Sequence, residues 1–537
     1  MEETKQNRGS FGSNFGFLMA AIGSAVGLGN IWGFPFKMGK CGGFAFLIVY
    51  LVLAVFVGLC VMLGEMALGR KTGQGVVGAY KKLAAKFAWV GWCGIITGFC
   101  ILCFYLVLGG YVTRYCLGFL LEMFGMDGFA GQTAENFFGY FLTNSWSCLL
   151  YFFIFTIINV LIVSGGIQGG IEKFNKWAMP ALFLILLIVL IYVACQPGAG
   201  DGYKFMFAAN FSVFSDPDVG FITVLKTAAG QMFFSLSLGM GCMITYGSYL
   251  SKKEDLQKNS VIVVCCDTMI AIMAGMVVLP ACAAFGMDFG GGPGLLFNTM
   301  QVVFDRMGGS GAFIGNLMGF LFYFLVFLAA LSSSISILEV CTAYSVDKNL
   351  AAGKGGADGG RKKATAIFSV AIFVFGMLVA LDGLGAGKAA GAAISYPAEL
   401  LGMDYKQVDV SSGFDADTTY YVAGEEAHSY TAVTGDVDGA ITAPEEGTTY
   451  YVKTVKGWND CWLDFYDMIS EGILMPLGAL MMSLLIGWKW KTDLVMDECM
   501  ESGHKPWGRG FFDICFKFIT PIGMLVVLYG QITSFFG

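Results

Sequence analysis

The chain has 537 residues, of which 56% are hydrophobic and only 13% charged, and its net charge is −7. A soluble protein of this length cannot shield that much apolar surface from water, so soluble enzymes and binding modules are excluded. The acidic balance argues against a nucleic-acid partner.

In chain order, apolar runs of about 20 residues predict an all-α polytopic membrane protein with eleven spans. The runs lie at 15–38, 44–68, 89–122, 146–164, 177–195, 220–250, 260–285, 311–345, 364–382, 460–488 and 511–534. The alternation expected of a transmembrane barrel is absent. The first run follows a short polar start that lacks the pattern of a cleavable signal. Lys and Arg gather at 70–86, at Lys173 and Lys176, at 252–258, at 348–363, and at Lys489 and Lys491. These positions fall on alternate loops, on the side of the N-terminus. The positive-inside rule makes that side cytoplasmic, and eleven crossings then leave the C-terminus outside. The expected location is the plasma (inner) membrane.

On the other side lies an acidic, Gly- and Thr-rich segment, 382–457, with twelve Asp or Glu against four Lys. Thr-Thr-Tyr-Tyr-Val occurs in it twice, at 418–422 and 448–452. Two readings stand: a small β-rich extracellular insertion with hairpin strands, or a solvated spacer. Most of the sixteen cysteines lie inside spans, and Cys100-x-x-Cys103 has no further Cys or His beside it, so these read as packed thiols. With only His428 and His504, and no nucleophile with a base at one depth, the chain does not read as a membrane enzyme.

Three stretches break the apolar pattern. They are AAIGSAVGLGNIWGFPFKMG (20–39), GQMFFSLSLGMGCMITYGSY (230–249) and LAALSSSISILE (328–339). Spans one and six hold matching places in two groups of five, residues 1–195 and 196–488, with 489–537 left for a cytoplasmic loop and the last span. A pair of Gly-interrupted spans at corresponding positions points to a secondary transporter built from an inverted repeat. Backbone freed by a break survives at this depth only where it lines a cavity. Its half-helix ends attract an anion at N-termini and cations at C-termini. Close helix packing through small residues is the alternative. It accounts for isolated glycines, but not for Asn30, Ser235, Ser237, Ser332 and Ser333 sharing these stretches. A channel is a third reading, separable by saturable, uphill, Na⁺-dependent uptake.

GSAVGLGNIWGFP (23–35) resembles the first-span signature of the neurotransmitter:sodium symporter family. GEMALGR (64–70), GGIEKFNKWAMP (169–180), FFSLSLGMG (233–241), YGSY (246–249) and SSSISILE (332–339) match further motifs in order. The span count resembles bacterial members. The resemblance implies Na⁺-coupled uptake of an amino acid or amine by a LeuT-like five-plus-five fold with spans one and six broken. It implies a first sodium site at Ala25, Asn30, Ser235 and Asp267, and a second at Gly23, Val26, Ala329, Ser332 and Ser333. The substrate would meet Ser24, Ala25, Gly27, Leu28, Gly29, Ile101, Tyr105, Phe234, Ser235, Ser237, Met240, Ser333 and Ile337, with Tyr105 and Phe234 as its lid. Arg8 and Asp347 match the cytoplasmic gate pair, with Tyr249 beside them. Glu65 would accept hydrogen bonds from the broken backbone of spans one and six.

Several positions discriminate within the family. Amine transporters resemble this site but carry Asp where this chain has Gly27, so the substrate should bring its own carboxylate. With Ile101, Phe234, Met240 and Ile337 around the side chain, an apolar or aromatic α-amino acid is expected. Asp267 stands where Asn is common, and Ala271 lacks the Ser hydroxyl of chloride-dependent relatives, although Tyr50, Gln231 and Ser235 match their other chloride positions. Chloride independence follows, with proton coupling through Asp267 and transport of an amine as rivals. Gly33 replaces the family's outer-gate Arg, which leaves Asp467 without its usual partner unless Lys37 or Lys40 substitutes. Glu471 receives no role, and monomer and dimer are equally open.

Overall fold

The computed structural model describes residues 9–287, 289, 294–307, 313–354, 359–384, 394–408, 419–424, 430–433, 448–455 and 458–536. Nine helices among these are long and apolar enough to cross a membrane. A tenth crossing is the pair Asn14–Ala25 and Gly29–Lys40, bent by 49°. The sixth expected span is two half-helices, Gly220–Ser235 and Cys242–Gly247, joined by non-helical residues 236–241. Each of the eleven expected runs therefore has its helical counterpart.

Burial sorts the spans into a centre and a rim. The third and eighth, Ala85–Met123 and Phe313–Ala351, are 89% and 83% buried over their most apolar windows, and they pack along one another. At 1.5 Å per residue each runs to about 58 Å, nearly thirty ångströms longer than a hydrocarbon core, so each must tilt or project. The fourth and fifth, Ser145–Ser164 and Ile167–Ala194, are only 33% buried. Their exposed Leu, Ile and Phe side chains suit a lipid-facing rim. The half-helices of spans one and six lie against spans two, five, seven, eight, ten and eleven, so the irregular backbone is enclosed by protein, as hydrocarbon demands.

Much of 382–457 lies outside the described residues. The part inside it carries a four-stranded antiparallel sheet, β1 (Tyr405–Val408), β2 (Tyr420–Ala423), β3 (Tyr430–Val433) and β4 (Tyr450–Lys453), in the order β1-β4-β2-β3. The two Tyr-Tyr-Val repeats are neighbours, with Tyr420 opposite Val452 and Val422 opposite Tyr450. Of the two sequence readings, the β-rich insertion is the one that forms. Its feet are tied to the helices. The Trp462 N–H, opening span ten, donates to Asp382 at the end of span nine (2.5 Å), and the Ala398 N–H donates to the Asn459 carbonyl (2.9 Å).

Candidate functional site

The first span stops being α-helical at 26–28 and resumes as a π-turn, Gly29–Gly33, then an α-helix, Phe34–Lys40. Pro35 does not lie in the break: it is the seventh residue of the half-helix Gly29–Lys40, just after the π-turn. The freed donors are taken by side chains. The Gly27 N–H donates to Asn30 Oδ1 (2.9 Å) and the Leu28 N–H to the Tyr105 hydroxyl (2.9 Å). Glycine is required at two of these positions by close approach. A Cβ on Gly27 would stand 2.6 Å from both Ser333 Oγ and Tyr105 Oη, and one on Gly29 would stand 2.6 Å from the Phe234 ring.

The break in span six uses positive φ. Ser237 (φ 52°), Gly239 (φ 80°) and Gly241 (φ 81°) are all left-handed. A non-glycine residue there is held against its preference. Ser237 has a reason for it, since its hydroxyl donates to the Ser24 carbonyl at 2.7 Å and so ties the two breaks together.

Two oxygen clusters flank these breaks. In the first, Asn30 Nδ2 donates to Asp267 Oδ1 (2.7 Å) and Ser235 Oγ (2.8 Å), and Ser235 Oγ donates to Asp267 Oδ2 (2.8 Å). All three residues are buried. Beside them Tyr50 Oη and Gln231 Oε1 are buried without a hydrogen-bond partner. The Ala25 carbonyl is not among the bonded members of this cluster; its residue lines the adjoining cavity. In the second cluster the five expected residues converge. Ser333 Oγ reaches the carbonyls of Val26 (3.0 Å) and Gly23 (3.3 Å), and Ser332 Oγ reaches those of Ala329 (3.0 Å) and Val26 (3.4 Å). The second set is entirely oxygen, which fits a hard alkali cation beside unwound backbone, whereas in the first Asn30 turns Nδ2 toward Asp267 and Ser235 and Oδ1 toward the Gly27 N–H.

Between the clusters lies a small cavity walled by Ala25, Gly27, Gly29, Tyr105, Phe234, Ser237, Met240, Ser333 and Ile337. These are nine of the thirteen expected substrate residues. The remaining four stand behind the wall. Ser24 Oγ donates to Ser336 Oγ (2.7 Å), Ser235 belongs to the carboxylate cluster, and Leu28 and Ile101 are buried. Ser336 was not singled out in the sequence; its place three residues after Ser333 on a helix, on the same face, is the signal that could have found it.

Comparison with known proteins decides the family. The sodium:neurotransmitter symporter family model matches residues 8–124 and 142–387. The chain belongs to the sodium:neurotransmitter symporter family. It is similar to YhdH, an uncharacterized sodium-dependent transporter of Bacillus subtilis, at 28% identity over 98% of this chain and 99% of the relative. It is 33% identical, over 64% of this chain and 70% of the relative, to a sodium-dependent transporter of Methanocaldococcus jannaschii. Among solved structures, MhsT in complex with L-phenylalanine matches with a TM-score of 0.73 and 31% identity, covering 98% of this chain and 100% of that one. The protein is thus a multi-pass, sodium-dependent symporter of a small molecule, not an enzyme.

In this symporter Glu65 supports the sixth span alone among the described residues. The Gly239 N–H donates to Glu65 Oε1 at 2.7 Å, with the Met243 and Ile244 amides against the same carboxylate. The expectation that it also serves span one is corrected: the span-one donors are met by Asn30 and Tyr105 instead. Glu65 does not pair with Arg70, whose guanidinium binds Glu498 (2.9 Å). Arg8 lies outside the described residues, and Asp347 accepts from the Gly75 N–H (2.8 Å). Tyr249 Oη donates to Glu339 Oε1 (2.6 Å), and Arg361 pairs with Glu339 Oε2 (2.5 Å). At the outer end Gly33 faces Gln231, whose Nε2 donates to the Gly29 carbonyl (2.8 Å), and Lys37 Nζ pairs with Glu471 Oε1 (3.2 Å).

Proposed function

We propose that this symporter imports an apolar or aromatic α-amino acid with Na⁺ by alternating access, independently of chloride. The observation that carries the substrate class is the crowding at Gly27. With Tyr105 Oη and Ser333 Oγ both 2.6 Å from where a Cβ would be, there is no room for a protein carboxylate, so the substrate supplies its own. Phe234, Met240 and Ile337 give its side chain an apolar wall. The L-phenylalanine complex of MhsT, whose fold this chain shares, supports the same class.

Asn30, Ser235 and Asp267 with the Ala25 carbonyl hold one Na⁺ and the substrate carboxylate beside it. Ser332 and Ser333 with the Gly23, Val26 and Ala329 carbonyls hold a second. Tyr105 and Phe234 close over the substrate, and spans one, two, six and seven then rock against the rest, opening inward past Asp347 and Arg8. The repeats are 1–195 and 196–488, and the N-terminus is cytoplasmic and the C-terminus outside the plasma membrane. Each Na⁺ crossing ~100 mV contributes about 2.3 kcal/mol, and a tenfold gradient about 1.4 more. Two ions supply on the order of 7 kcal/mol, enough for about a 10⁵-fold gradient of a zwitterion. Proton coupling through Asp267 is the rival mechanism, because that buried carboxylate has only neutral partners, Asn30 and Ser235.

The test is uptake into proteoliposomes under an imposed Na⁺ or pH gradient, over twenty amino acids and tryptamine. Saturable, uphill, Na⁺-driven uptake of an apolar amino acid is expected. Uptake driven by pH alone, or a preference for tryptamine, overturns the reading.

A further inference from the structure

Gly29, Gly33 and Lys37 follow one another outward along the first span, and each meets a different partner. Gly29 meets the Phe234 ring, Gly33 meets the Gln231 carboxamide, and Lys37 meets Glu471. The three partners also climb outward, from the cavity lid to the mouth. Glu471 belongs to a π-turn of span ten, Met468–Leu474, a geometry that recurs at functional positions because it re-aims side chains. Its carboxylate reaches past span ten altogether. A Cβ on Gly230 of span six would stand 3.6 Å from Glu471 Oε1 and 3.3 Å from Gln531 Nε2 of span eleven. Spans one and ten therefore meet at this one carboxylate, with Gly230 of span six beside it and Gln531 of span eleven on the same glycine. The pair is largely withdrawn from solvent, with side-chain exposures of 24% for Lys37 and 12% for Glu471. Asp467, one turn earlier on span ten, lies beside Glu471 and within the field of Lys37.

We propose that Lys37 and Glu471 are the outer gate of this symporter, one helical turn further out than the Gly33 level, with Asp467 positioning Glu471 rather than closing the gate itself. Glycine at 33 is then no defect. It admits Gln231 to the Gly29 carbonyl, and the charge that joins the moving first span to span ten has been transferred to Lys37. The inference rests on alternating access but not on the identity of the substrate.

The test uses the full-length protein in lipid nanodiscs and hydrogen–deuterium exchange of peptides covering 29–40 and 462–474, in NaCl and in KCl. In NaCl, Lys37→Gln and Glu471→Gln are each expected to speed exchange in both segments on the order of tenfold, as removal of one partner of a largely buried pair does. Peptides within 313–351 should be unchanged, and the exchanged double variant Lys37→Glu/Glu471→Lys should return both segments to the wild-type rate. The proposal fails if the single variants leave both segments unmoved, or if the double variant is no better than the singles. It also fails if Asp467→Asn alone reproduces the full effect. Uptake of L-phenylalanine is measured in parallel. Wild-type protein that shows the exchange pattern but no uptake counts against the substrate reading and leaves the gate standing.

Discussion

At position 27 there is room for a hydrogen atom and no side chain. The place is already filled by Tyr105 Oη and Ser333 Oγ, each 2.6 Å from the Cβ that any other residue would bring. Overpacking of this kind costs about 1–3 kcal/mol. Gly27→Ala should therefore lower the thermal midpoint in detergent and also lower Na⁺-driven amino-acid uptake by about 10- to 100-fold. Asp267 makes a second residue-scale claim. In the proposed mechanism its carboxylate supplies the fixed negative charge of the first cluster, and Ala271, one turn on, has no hydroxyl to help hold an anion. Replacing chloride by gluconate should leave wild-type uptake unchanged. Asp267→Asn should raise the Na⁺ concentration for half-maximal uptake about tenfold, the loss of roughly 1.4 kcal/mol of cation binding.

At the scale of elements, the breaks follow from residues that favour non-helical backbone together with side chains that satisfy what the breaks expose. Gly239 combines φ 80° with a Cβ position 2.6 Å from the Met475 carbonyl. Gly73 shares the positive φ, 64°, but a Cβ added there would meet no atom within 4 Å. Gly239→Ala should lower the thermal midpoint clearly more than Gly73→Ala, since the first adds a backbone clash to the roughly 1–2 kcal/mol that left-handed geometry costs an L-residue. On the eighth span, adjacent serines face different ways. Ser333 Oγ points at the Gly23 and Val26 carbonyls, while Ser334 Oγ donates to Asn159 Oδ1 at 2.7 Å. Ser333→Ala should raise the half-maximal Na⁺ concentration about tenfold, one ligand being worth on the order of 1–1.5 kcal/mol. Ser334→Ala should leave it unchanged. The sequence marks the serine run, but its helical phase comes from what the spans present on either side.

For the molecule as a whole, composition and hydropathy determined the class, the spans and the places where helix fails, because lipid admits few backbone solutions and each leaves a long, visible pattern. The glycine and serine stretches likewise marked which three spans build the site, and their motifs identified the family. Tertiary structure decided what pairs with what. Glu65 turned out to serve span six rather than both breaks, Ser24 and Ser235 stand behind the cavity wall, and Ser336 joins them. Lys37 and Glu471 are separated by most of the chain and meet at 3.2 Å. Nothing in local sequence records that meeting. A buried ion pair depends on the register and rotation of two helices packed against each other, and those are set by the side chains of all the surrounding spans together.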